Sequence, residues 1–244
     1  MSFFEKFGRS ALELKSVRCL VTTGMLIALD LVLKLVSVKL SDNLKITFAY
    51  LALATIGMLF GPSVGFLAGI ITDIVGFLLK PDGGFSPLFT IVEAVGAMIY
   101  GIFLYEIKPV ILKGDKRKII KTDTISAVRV ILSKVTVVIV CNLVMTPVAM
   151  VLSGYMTWES VAAGYPVRLV KNAVQCPVDC ILMLLVLFPV LAAYRKIFPE
   201  DVSAGSETYK KRMPIYFLCL TLIIFFIRFV IYLFEIFEKM GNGG

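Results

Sequence analysis

Three carboxylic acids, Asp73, Glu93 and Asp179, sit inside apolar stretches of this chain. An ionisable side chain at bilayer depth costs about 2.5–3.5 kcal/mol on insertion scales unless it faces protein or a wet cavity. Each must therefore pair or meet a ligand. Around them stand Thr90, three residues before Glu93, and Asn142 with Thr146, four residues apart on one face of a helix. Arg168, Lys171, Asn172, Gln175 and Asp179 fall at i, i+3, i+4, i+7 and i+11, a single polar stripe on an otherwise apolar helix that must turn inward. With Tyr50, Phe85 and Phe89 the set mixes acid, amide, hydroxyl, cation and aromatic. That mixture suits a flat polar heterocycle with an anionic tail. A carboxylate accepts two donors from an amino-pyrimidinone edge, aromatics cover the ring, and Arg168 with Lys171 meets carboxylates. The alternative is a polar core whose members satisfy one another, Asp73 bonding to a neighbouring helix.

Composition says what must position these groups. Of 244 residues, 59% are hydrophobic, 17% are charged and none is histidine, with a mean hydropathy of +0.92. This is an all-α, polytopic integral membrane protein. Without histidine, imidazole general-base chemistry and His-ligated metal sites are excluded. Cys19, Cys141, Cys176, Cys180 and Cys219 lie in or beside apolar segments and read as small buried hydrophobes. No metal site or cofactor is expected, and nothing points to nucleic acid. No GxxxxGK[ST] phosphate loop is present, so if the protein concentrates a solute with ATP, the ATPase is another polypeptide.

The organising stretch is 46–105. Gly57, Gly61, Gly65 and Gly69 recur every four residues, broken by Pro62. Gly61-Pro62 ends one helix and starts the next, making a hairpin of 47–59 and 63–79, each arm at or below the ~20 residues a span needs. Further spans are expected at 19–36, 88–105, 127–152 and 166–194. The N-terminus shows no cleavage pattern, so the first span is retained. Lys34 closes that span with a stem long enough to reach the outer interface. The turn-rich loop 80–87 is a candidate lid, and 153–165 is an external loop holding Tyr155 and Trp158. A last apolar run, 214–234, is long enough for a seventh span. The expected organisation is a cytoplasmic N-terminal arm (1–18), a six-helix substrate-binding domain (19–196), a cytoplasmic linker (197–212), and an additional transmembrane helix with its tail (213–244).

Basic residues set the topology. Lys6, Arg9, Lys15 and Arg18 precede the first span, and Lys108, Lys113, Lys116, Arg117, Lys118 and Lys121 crowd one loop. Both belong on the cytoplasmic side, with the N-terminus inside and a multi-pass chain in the cell membrane. Alternating the spans then gathers Thr47, Tyr50, Asp73, Thr90, Glu93, Asn142, Thr146, Arg168, Lys171, Asn172 and Gln175 in the outer half, as expected of a substrate pathway.

Gly24-x-x-x-Ala28, "MLFGPSVGFLAGIITDIVGFLLKP", "GGFSPLFT", "GAMIYGIF" and "PVRLVKNAVQCPVD" together resemble the substrate-binding S component of energy-coupling factor (ECF) transporters, folate branch. The resemblance covers 17–196. It implies a six-helix vitamin binder that captures substrate outside, docks on a transmembrane coupling subunit served by two ATPases, and releases its cargo by toppling in the membrane. Gly24 and Ala28 would be the docking residues, Gly24 standing where alanine is usual. Two departures are the apolar run after residue 213 and Glu93, which stands where a small or hydroxyl residue is expected. Other readings are an S component for riboflavin or a queuosine precursor, a lipid-modifying membrane enzyme using Asp73, Glu93 and Asp179, and a structural scaffold.

Overall fold

A computed structural model describes residues 3–35, 38–41, 44–81, 84–105, 107, 110–111, 120–121 and 124–198. The proposed seventh span, the linker before it and most of the basic loop lie outside the described residues. The rest is a helical bundle: α1 (Phe3–Glu13), α2 (Val17–Leu35), α3 (Tyr50–Phe60), α4 (Pro62–Leu79), α5 (Pro87–Leu104), α6 (Thr124–Val137), a π-helical segment (Val138–Met145), α7 (Thr146–Leu152) and α8 (Trp158–Ile197). Two short antiparallel strand pairs lie in connections: β1 (Val38–Ser41) with β2 (Leu44–Ile46), and β3 (Val110–Ile111) with β4 (Ile120–Lys121). The helix α4, the helix α5, the 28 residues of Ile125–Leu152 and the 40 of α8 are each long and apolar enough to cross a membrane, and α1 with α2, bent by 88°, makes a fifth candidate. The 11-residue α3 is roughly 16 Å long at 1.5 Å per residue, so it lies within the bundle under longer neighbours.

The α3–α4 hairpin forms as its sequence dictates. Gly61 takes φ +88°, a region that disfavours any residue with a Cβ, and Pro62 occupies the first turn of α4. The glycine row then lets three backbones touch. A Cβ on Gly57 would lie 2.6 Å from the Gly101 nitrogen, one on Gly65 2.8 Å from the Ala97 carbonyl oxygen, and one on Gly69 2.7 Å from the Ala94 Cα. Close approach of this kind replaces the hydrophobic driving force that lipid cannot supply between helices.

α1 is more than an arm. The buried Ser10 Oγ donates to the Phe60 carbonyl at 2.7 Å and accepts from the Ser63 and Val64 amides at 3.0 and 3.2 Å. One hydroxyl thereby satisfies the last carbonyl of α3 and two of the first amides of α4, groups that helix ends otherwise leave without partners. Ser63 Oγ returns a bond to the Phe7 carbonyl at 3.0 Å.

Two expectations are corrected by the helix-end chemistry around 138–165. Residues 158–165 are helix, not loop: the Thr157 side chain caps α8 by accepting from the Ser160 amide at 3.3 Å, and Pro166 lies inside the helix. The second concerns 138–145, where a π-helical segment replaces regular α-helix. Pro147 has no N–H for the Leu143 carbonyl, which instead accepts from the Tyr165 hydroxyl at 3.1 Å. The Thr146 amide and hydroxyl both turn to the Cys141 carbonyl, the latter at 2.8 Å.

Candidate functional site

The expected polar residues gather at the end of the bundle opposite the Gly61–Pro62 turn, in neighbouring groups. In the first, between α2, α4 and α5, the Thr90 hydroxyl donates to Asp73 Oδ2 at 2.6 Å. Beside it Lys34 Nζ lies 3.1 Å from Asp30 Oδ2 and 3.0 Å from Glu93 Oε1. Lys34 therefore does not run out to the interface: two carboxylates hold its ammonium inside, and its stem lies along Gly76, whose added Cβ would sit 3.5 Å from Lys34 Cδ. Asp30 is fully buried, whereas the Glu93 side chain keeps 32% of its surface. Asp30 was missed in the sequence, although an acid four residues before a lysine within the first span carries the same signal that picked out Asp73.

The second group joins α8 to the π-helical segment. Asn142 Nδ2 donates to Asn172 Oδ1 at 2.8 Å, and Asn172 Nδ2 donates to the Arg168 carbonyl at 2.9 Å. Arg168 Nη2 lies 3.1 Å from Met150 Sδ and lines a small cavity of about 40 Å³ with Met156, Ser160 and Val161. Lys171 and Gln175 are half-buried, Asn172 and Asp179 buried, so the stripe does face inward. Thr146 is not directed to a shared site; its hydroxyl is taken by its own helix backbone.

Below these, Lys134 Nζ meets Asp179 Oδ2 at 2.9 Å, both side chains 6% exposed. The same ammonium sits 3.7 Å from the centre of the Tyr50 ring, so one face of Tyr50 is already covered by a cation. Among the described residues the buried hydroxyls of Tyr50 and Tyr100 have no hydrogen-bond partner. Described residues of the expected lid 80–87 are tied to neighbouring elements: the Tyr155 hydroxyl donates to the Gly84 carbonyl, Ser86 Oγ is 2.6 Å from Ser153 Oγ, and Phe85 packs on Phe77 with centroids 5.2 Å apart, while Phe89 of α5 packs on Tyr155 at 6.0 Å. Asp73, Glu93 and Asp179 are not brought to one point. Among the described residues no three His, Cys, Asp or Glu side chains gather as a metal site.

Gly24 and Ala28 are exposed on α2, on a face shared with Leu20, Val21, Met25 and Leu29. Nothing lies within 4 Å of where a Gly24 Cβ would stand.

The family model "ECF transporter, substrate-specific component" matches residues 18–187. The chain belongs to this family. The S-component match begins after α1 and ends within α8. The chain is 28% identical over 171 residues to Folate transporter FolT of Clostridium novyi, covering 70% of this chain and 88% of that one. To Folate transporter FolT of Streptococcus mutans it is 28% identical over 147 residues, 59% of this chain and 74% of that one. Among solved structures, a crystal structure of FolT bound with folic acid is similar at TM-score 0.55 and 28% identity, covering 69% of this chain and 92% of that chain. The fold is thus that of a helical membrane S component, as the motif resemblance implied.

Proposed function

We propose that this S component is the substrate-binding subunit for uptake of folate, presenting it to an ECF transmembrane coupling subunit and two ATPase subunits that consume the ATP. The observation that carries the reading is the similarity to FolT with folic acid over nearly that whole chain. The local chemistry is compatible. Glu93 and Asp73 supply carboxylates on the α4–α5 side, Phe85 and Phe89 stand at the start of α5, and Arg168 and Lys171 supply cations on the α8 side. A donor-rich heterocycle belongs near the two acids and carboxylates near the two cations. The N-terminus lies in the cytoplasm and the chain crosses the cell membrane several times, with the ligand entering at the end that carries loop 80–87. The exposed small-residue face at Gly24 and Ala28 is the docking surface for the coupling subunit, since small side chains let a partner helix approach. The chain itself carries no catalytic residue and holds no cofactor in this reading.

Native mass spectrometry with ligand extraction tests it, on protein expressed alone in a folate-producing host. A co-purified folate is the expected result. Riboflavin or another vitamin in its place would keep the family and replace the substrate. A folded protein that binds no folate at micromolar concentration without ATP would overturn the assignment.

A further inference from the structure

Resting on the folate reading above, we infer that Lys34 is a specificity-determining positioning residue: bridging Asp30 to Glu93, it fixes Glu93 as the acceptor for two adjacent N–H donors on the ligand's heterocycle.

Access, geometry and charge support the role. Of the two acids that Lys34 bridges, Asp30 is fully buried and Glu93 is 32% exposed, so only Glu93 can meet a ligand. Lys34 takes one lone pair of Glu93 Oε1, which orients the carboxylate and leaves the other lone pair of Oε1 and both of Oε2 as acceptors. The bridge is held from both sides. Asp30 sits one turn back on α2 and anchors the ammonium, while Leu31 and the Gly76 surface of α4 flank its stem. A Cβ at Gly76 would stand 3.5 Å from Lys34 Cδ, in ordinary van der Waals contact with that stem. Without the ammonium, Asp30 and Glu93 would face each other as like charges in a medium of low dielectric, and Glu93 would turn away. Glu93 also lies one turn from Thr90, whose bond to Asp73 braces the same stretch of α5. A carboxylate so fixed accepts a 2-amino group and its neighbouring ring N–H together. A 2-oxo ring offers one donor and one repelling oxygen at the same edge, and it is disfavoured.

The test is equilibrium binding to the purified full chain of folate and of its 2-oxo counterpart, in which oxygen replaces the 2-amino group. The wild type is expected to favour folate by at least about tenfold. Lys34→Met should weaken folate about tenfold and narrow the preference, Lys34→Arg should hold it, and Lys34→Met with Glu93→Gln should lose no more than Glu93→Gln alone, because Lys34 acts through Glu93. An unchanged preference in Lys34→Met overturns the inference. Should that variant fail to fold, Glu93→Gln, which leaves the Asp30–Lys34 pair intact, decides it: a retained preference overturns the inference and a lost one supports it. Wild-type protein that binds neither ligand overturns the folate reading instead.

Discussion

Removing one partner of the Lys134–Asp179 pair should be the most damaging single polar change in the bundle. The two groups meet at 2.9 Å with 6% of each side chain exposed, and the ammonium also rests 3.7 Å from the Tyr50 ring centre. Lys134→Met leaves Asp179 as an uncompensated buried carboxylate, a change that costs about 3–5 kcal/mol. Loss of the contact with Tyr50 adds about 0.5–2 kcal/mol. For a chain of this size each kcal/mol shifts the midpoint by roughly 2–4 °C, so the ion-pair loss alone lowers Tm by roughly 6–20 °C. Thermal unfolding of the purified protein in detergent, followed by tryptophan fluorescence or by the monodisperse fraction on size exclusion, reads the shift. Lys134→Met with Asp179→Leu removes both charges and should recover most of the loss, since well-packed apolar replacement of a buried pair is often neutral. A single variant as stable as the wild type, or a double variant no better than the single, would refute this account of the core.

Other expectations follow from contacts of different kinds. Gly101→Ala would place a Cβ 2.5 Å from the Pro62 backbone; it should cost about 1–3 kcal/mol through overpacking and show as a lower Tm. Ser10→Ala removes three hydrogen bonds at the end of the hairpin and should cost about 1–3 kcal/mol for the groups left bare, read in the same unfolding assay. Gly24→Leu projects into open space, so Tm and ligand affinity should stay unchanged while co-purification with the coupling subunit is lost. Intact co-purification would remove Gly24 from the docking surface. Thr90→Val strips Asp73 of its 2.6 Å donor and should weaken ligand binding about tenfold, measurable by calorimetry.

Much of the bundle was legible because membrane sequences separate apolar from polar so sharply. Gly61-Pro62 announced its own turn, since few other pairs tolerate φ +88° followed by a helix start. The five-residue polar stripe on α8 announced its buried side in the same way. What escaped were relations between elements. Lys34 near the end of a span looks the same whether it reaches outward or bends inward, and only the position of Glu93 on α5 decides between them. Trp158–Tyr165 read as a loop because Pro166 resembles a helix start, yet a proline is tolerated within a helix when a neighbour or water satisfies the freed carbonyl. The π-helical segment hid for a related cause: Pro147 marks a defect, but the Tyr165 hydroxyl that repairs it comes from another helix.

The Ser10 cap bears on where this protein can be said to begin. Similarity to the S-component family starts at residue 18, inside α2, and a boundary drawn there keeps every residue matched to relatives. A boundary drawn by hydrogen bonding runs one helix earlier, because the hydroxyl that closes the α3–α4 turn comes from α1. A chain shortened to the family match would retain its ancestry and lose its own keystone.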